Sequence, residues 1–244
     1  MHVEHHKWYS PALNDEMDLK VYGHGGKPIV GYACQNGRYW DFEDRKMIAA
    51  LAPLIESGRY TFYALDSRDW ESWTNKKIHP AHRVMRHMDF DRYITEEVVP
   101  FIRGRSHYNK FIATGASMGG YQSANAFFRH PDAFDGLVAM SGVYSMESFL
   151  DHHMDENVYF NVPLAYLKDL NDPWYLDQYR QSQIVFSVGQ GKWEDPMREH
   201  TWRMGQILKA KGVPAHVDFW GHDVDHDWPW WLKQLPHFLN QMQY

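Results

Sequence analysis

Cysteine is nearly absent from this 244-residue chain. Cys34 stands alone, so no internal disulfide can form. Long apolar runs are missing too. No stretch approaches the roughly 18–20 apolar residues of a membrane span. The opening "MHVEHHKWYSPALNDEMDL" has no apolar segment of the kind a secretory signal carries, so a soluble cytoplasmic protein is expected. Nor is there a basic excess. Lys and Arg number 25 against 31 Asp and Glu, a net charge of −6, which argues against a general nucleic-acid partner. Internal repeats, low-complexity segments and linkers are also lacking.

What the chain has in abundance is aromatic side chains, 16% of residues with eleven Trp. So many indoles exceed what a core absorbs. Some are expected to line a pocket or an interface, a homo-oligomer contact included. Trp40, Trp70, Trp73, Trp193 and Trp228 fall near strand ends or in an insert, where aromatic walls suit an apolar or aromatic acyl group. His2, His5 and His6 read as a solvated terminus rather than a metal tract.

Apolar patterning alternates between short runs and helical spacing. Strands are expected at 17–24, 27–34, 60–65, 110–115, 135–142, 183–189 and 214–220. Helices are expected at 44–58, 88–102, 118–130, 195–212 and 228–243. Residues 143–183 read as an irregular insert near the active site. The alternation predicts one α/β domain over 1–244, with a mostly parallel central sheet and helices on both faces. Sites in such sheets lie at the carboxyl ends of strands.

Gly115-Ala116-Ser117-Met118-Gly119 lies between the strand 110–115 and the helix 118–130. A Gly-rich connection would explain the glycines alone. The strand-to-helix position also fits a nucleophile elbow, where small residues let the turn close and the helix N-terminus faces the nucleophile. A serine nucleophile needs a base and an orienting acid, here following in the order Ser, acid, His. His226, in "WGHDVDHDWPWW" after the last strand, is the expected base, with His222 its competitor. His130 is expected to end a helix, and His152 and His153 to sit in the insert. Glu194 and Asp195 both follow the strand 183–189. Asp195 precedes Pro196 and suits a helix N-cap with Pro at N1, which leaves Glu194 as the acid and Asp195 as the alternative. The oxyanion hole is expected from the N–H of Met118 and that of Gly37 or Arg38 in the loop "CQNGRYWDFED". The reaction so read needs neither cofactor nor metal. A competing reading takes the two His and three Asp of "HDVDHD" (222–227) as ligands of a metal-dependent hydrolase.

The segments "NGRYWDFED", "LDSRDWESW", "ITEEVVPFI", "TGASMGGYQSANAFFRHPDAFDGLVAMSGVY" and "DVDHDWPWW" together resemble α/β-hydrolases of the esterase D family, which also holds mycolyltransferase-like enzymes. The resemblance spans residues 36 to 231. It implies an α/β-hydrolase fold and cleavage of small-molecule carboxylic esters through an acyl-enzyme, with Ser117 as nucleophile and His226 as base. The family's acid is Asp or Glu after the penultimate strand, where Glu194 stands. An acyltransferase using the same triad is the alternative it implies. The chain departs from esterase D itself around the oxyanion loop, which argues against S-formylglutathione hydrolysis.

Overall fold

A computed structural model describes residues 1–244. Eight strands form one sheet: β1 (Val3–Ser10), β2 (Asp15–Tyr22), β3 (Lys27–Tyr32), β4 (Tyr60–Leu65), β5 (Phe111–Ala116), β6 (Phe134–Met140), β7 (Gln183–Val188) and β8 (His216–Phe219). Their order is β1-β2-β4-β3-β5-β6-β7-β8. β1 pairs antiparallel with β2, and β2 with β4. Every pairing from β4 through β8 is parallel. This is the expected mostly parallel sheet in the α/β-hydrolase arrangement.

The central strands read as continuous apolar runs because both of their faces are buried. Ile29, Phe62, Ile112, Val138 and Val185 pack on one side, with α2 (Met47–Glu56) and α11 (Trp228–Gln241). Their neighbours Val30, Tyr63, Ala113, Leu137 and Ile184 pack on the other, with α3 (Pro80–Tyr93), α5 (Met118–Arg129) and α10 (Asp195–Ala210). A short α1 (Asp41–Asp44) precedes α2, and α4 (Val99–Arg103) follows α3.

Three expectations need correction. The N-terminus is no solvated tail: it is β1, an edge strand in register with β2 from Val3↔Tyr22 to Ser10↔Asp15. Its histidines are engaged, His5 with Asp18 at 2.6 Å and His6 with Glu4 at 2.6 Å. The helix expected at 88–102 begins earlier, at Pro80, where the fixed φ of proline suits the first helical position. It passes through a π-helical turn at Ile94–Val98 before α4. The insert is not irregular either. It holds four short helices, α6 (Glu147–Leu150), α7 (Glu156–Tyr159), α8 (Pro163–Asp169) and α9 (Pro173–Arg180). Asp155 and Asp172 cap α7 and α9, and Pro163 and Pro173 open α8 and α9. No helix is long and apolar enough to cross a membrane.

Candidate active site

Ser117 sits between the end of β5 and the start of α5, with φ 58° and ψ −121°. A non-glycine residue held at positive φ stores on the order of 1–3 kcal/mol of strain and persists only where its surroundings fix it. Here they do. Ser117 N–H donates to Met140 O at 3.0 Å, and Ser117 O accepts from Tyr121 N–H at 3.1 Å. The flanking glycines allow the close approach: a Cβ on Gly115 would lie 2.3 Å from Gly119 O, and one on Gly119 would lie 2.2 Å from Tyr32 O. The start of α5 is thereby pressed against the end of β3, where the loop 33–40 begins.

Three side chains from three strand ends meet there. Ser117 Oγ lies 2.9 Å from His226 Nε2, and His226 Nδ1 lies 3.1 Å from Glu194 Oε2. A carboxylate can only accept, so Nδ1 carries the imidazole proton and Nε2 is left to accept the serine hydroxyl. The His226 side chain is 17% exposed and that of Glu194 1%. Glu194 Oε1 accepts Ser141 Oγ–H at 2.6 Å and Gly189 N–H at 3.3 Å. Ser141 Oγ in turn accepts Trp231 Nε1–H at 3.2 Å, and the Trp231 ring meets the His226 ring edge-on at 5.1 Å.

The loops carrying Glu194 and His226 are stitched together. Gly191 N–H donates to Val224 O at 2.8 Å, His226 N–H to Lys192 O at 3.0 Å, and Lys192 N–H to Asp225 Oδ1 at 2.7 Å. Trp193, at φ 62°, turns the chain so that Glu194 faces inward. Asp195 faces out, 79% exposed and paired with Arg198 at 2.9 Å. The expected N-cap role of Asp195 is therefore wrong. α10 starts one residue earlier than the capping argument needs, the Ncap position falls to Glu194, and no side chain caps the helix.

The "HDVDHD" segment is a loop, not a helix face. Asp225 receives Lys192 N–H, Asp227 caps α11 at Trp228 N–H, and His222 is exposed. No group of three His, Cys, Asp or Glu side chains is arranged to hold a metal ion. The metal reading thus loses its ligand set. His130 stands just after α5, paired with Asp91 at 2.9 Å, and His153 pairs with Asp155 at 2.8 Å; neither joins the triad.

The oxyanion expectation is half overturned. Met118 N–H opens α5 and has no carbonyl one turn back. Gly37 N–H, however, closes a turn onto Cys34 O at 2.7 Å, and Arg38 N–H donates to Asp41 Oδ2 at 3.1 Å. Asn36, at φ 54°, supplies the left-handed corner of that turn. In this loop the N–H groups of Cys34 and Gln35 donate to no protein acceptor. Sequence reasoning also missed the segment 66–69, which grips this loop. Asp66 takes Arg38 by both Nε (2.6 Å) and Nη2 (2.9 Å), and Ser67 Oγ–H donates to Gly37 O at 2.7 Å. The repeated Asp in "LDSRD", at the carboxyl end of β4, was the available signal.

Among the tryptophans, Trp73 is fully buried, while Trp40, Trp70 and Trp193 are exposed. Trp40 and Trp70 flank the Arg38 guanidinium at 4.5 and 5.3 Å. A cavity of about 780 Å³ lies elsewhere: its walls include Phe128, Arg129, Tyr159 and Tyr175, but none of the triad. It borders the C-terminal end of α5, about 18 Å along that helix from Ser117.

The fold and the hydrogen-bonded Ser–His–Glu chain define an α/β-hydrolase. The family model described as "Putative esterase" matches residues 10–242, and the chain belongs to that esterase family. Ester hydrolysis is its activity. Among solved structures, a ferulic acid esterase superposes with a TM-score of 0.76 at 17% identity, covering 98% of each chain. The S-formylglutathione hydrolase of Staphylococcus aureus gives 0.71 at 14% identity, covering 98% of this chain and 96% of its own. A ferulic acid esterase of Anaeromyces mucronatus, solved with ferulic acid, gives 0.72 at 12% identity, covering 99% and 90%. No curated protein sequence matches this chain.

Proposed function

We propose that the protein is a serine carboxylesterase in which Ser117 attacks the ester carbonyl. The observation that carries this is the unbroken path from Ser117 Oγ through His226 to the buried Glu194 carboxylate. His226 Nε2 takes the serine proton as the Oγ–carbon bond forms. Glu194 holds the imidazole in the tautomer that can accept and stabilises the imidazolium. The tetrahedral oxyanion is held by Met118 N–H and an N–H of the loop after β3. Cys34 or Gln35 replaces Gly37 and Arg38 in that role, because the N–H groups of these two are unspent. Collapse returns the proton from His226 to the departing alcohol. Water then repeats the sequence on the acyl-serine.

The exposed indoles Trp40, Trp70 and Trp193 sit on loops at the carboxyl ends of strands and favour an aromatic or apolar acyl group. Two of the similar structures are ferulic acid esterases, which makes a hydroxycinnamate ester the aryl probe to use. The test is a series of p-nitrophenyl esters of graded chain length beside methyl ferulate, assayed with wild-type protein and Ser117→Ala. Equal turnover by the two proteins refutes the serine mechanism.

A further inference from the structure

Asp69 is a buried carboxylate that the mechanism above does not use. It opens a single 3-10 turn after β4 (Asp69–Glu71), and its side chain is fully shielded from solvent. Its two oxygens reach in different directions. Oδ2 accepts the backbone N–H of Asn36 at 2.9 Å, inside the loop after β3. Oδ1 accepts Gln122 Nε2–H at 2.6 Å, on α5 one helical turn beyond Met118. A third tie runs through Thr74, whose hydroxyl lies 2.8 Å from both Asp69 O and Asn36 Oδ1.

These contacts join the two backbone segments that must face one oxyanion. One is the loop 33–38. The other is the first turn of α5, with Met118. Neighbouring bonds from Asp66 and Ser67 grip the loop alone; the Asp69 carboxylate is the one that also holds the nucleophile helix. Burial is costly for this group. No cation offsets it, and its carboxyl is pushed up to about 7 despite the two donors. A carboxylate kept buried without an opposite charge is a poor stabiliser of the fold. Its geometry instead serves the spacing between loop and helix.

We propose that Asp69 is the positioning residue of the oxyanion hole, setting the separation between Met118 N–H and the donor of the loop after β3. The inference rests on the reading of Ser117 as nucleophile and of that loop as oxyanion donor. Preorganised donors act only when held at the oxyanion's position, so a loosened loop lowers kcat more than it raises KM.

The conservative variant has a defined outcome. In Asp69→Asn, the new Oδ1 can keep the Asn36 N–H. Gln122 can turn its amide so that Oε1, which has no partner now, accepts the new Nδ2–H. Both ties survive without the charge. In Asp69→Ala, neither does.

The experiment compares wild type, Ser117→Ala, Asp69→Ala, Asp69→Asn and Gln122→Ala on one p-nitrophenyl ester. Active sites are counted by fluorophosphonate titration in every protein but Ser117→Ala, which is compared per mole of protein, so that kcat refers to folded, reactive enzyme. Asp69→Ala is expected to lose about 10- to 100-fold in kcat per titrated site with little change in KM. Asp69→Asn is expected to recover most of that loss, and Gln122→Ala to fall between them. Wild-type kcat per titrated site in Asp69→Ala, whatever its melting temperature, overturns the proposal, as does an Asp69→Asn no better than Asp69→Ala. Should Asp69→Ala fail to fold, wild-type kcat in Gln122→Ala overturns it. An inactive Ser117→Ala beside an unaffected Asp69→Ala sinks this inference alone, whereas an active Ser117→Ala sinks the serine reading beneath it.

Discussion

Glu194→Gln separates the role of the acid from the role of the fold. The substitution keeps the shape and replaces one oxygen with an NH2. If the NH2 takes the place of Oε2, it opposes the Nδ1–H of His226, donor against donor. The imidazole then relieves the clash by moving its proton to Nε2, which can no longer accept from Ser117. If the NH2 takes the place of Oε1, it faces Gly189 N–H and Ser141 Oγ, which already accepts Trp231 Nε1–H. That orientation keeps the His226 bond but removes the charge that stabilises an imidazolium. Either way catalysis suffers while packing does not. A carboxylate-to-amide change of this kind costs up to about 10⁴ in kcat when the wrong tautomer results. The expected loss is therefore about 10²–10⁴-fold, or roughly 3–5 kcal/mol of transition-state stabilisation. The control is Asp195→Asn, which removes one exposed i,i+3 ion pair to Arg198 and leaves kcat alone. The assay is kcat on a p-nitrophenyl ester with titrated sites, beside a melting curve for each variant. An inactive Asp195→Asn with a Glu194→Gln that still turns over refutes the assignment.

Ser117→Ala is expected to lose on the order of 10⁶ in kcat and to keep its melting temperature, because the side chain's bond is to His226 alone; labelling of the alanine variant by a fluorophosphonate counts against it. His226→Ala loses most activity and His222→Ala little, since His222 lies exposed in the same loop; the reverse ranking in an ester assay overturns the choice of base. Gly119→Ala places a methyl 2.2 Å from Tyr32 O and is expected to lower both activity and melting temperature, so a wild-type melting curve for it contradicts the close approach described. The raised carboxyl of Asp69 makes a signed prediction for stability. Its contribution is fully present below the ordinary carboxylate range and is lost as pH rises through about 7. The melting temperature of Asp69→Asn relative to wild type is therefore expected to be higher at pH 8 than at pH 5, and the opposite trend in a thermal scan refutes the buried-charge argument.

The parts of the fold that were legible in the sequence are those buried on both faces. β4 runs Tyr60–Leu65, as its apolar run predicts, and β5, α5 and β7 agree to within a residue or so. β1 was hidden because burial alternates along this edge strand while hydrophobicity does not: the half-buried face carries Glu4, His6 and Trp8, and the exposed face Val3, His5, Lys7 and Tyr9. The insert helices have four to eight residues each, too few turns for a 3.6 period to show. At the site, the order Ser, acid, His selected three side chains that the structure brings into contact. The Asp195 cap failed by a single residue, because a left-handed Trp193 is invisible in the composition of "KWEDP". Gly37 was chosen as a donor for its place in the loop after an early strand, where Asn36-Gly37 also reads as an ordinary turn. Closing that turn is what consumes its N–H, and only the folded loop shows which N–H groups remain.

The strain at Ser117 shows how the site is kept assembled before a substrate arrives. Holding the residue at φ 58° costs free energy that must be recovered around it. The compensating contacts run to Met140 O and Tyr121 N–H, and the two glycines let β3, β5 and α5 approach closely enough to make them. Relaxing the turn would break those bonds and also withdraw α5 from Tyr32, at the root of the oxyanion loop. The same close packing that aims Ser117 thus fixes where the loop after β3 begins, and Asp69 fixes how far along it the donors lie. The His226 and Glu194 loops are bonded to each other independently of this cluster. Two separately braced halves meet at the Ser117–His226 hydrogen bond. Loss of a single hydrogen bond in either brace, unlike a backbone clash such as Gly119→Ala, should therefore appear first in kcat, through a lengthened Ser–His contact or a displaced donor, and only later in global stability.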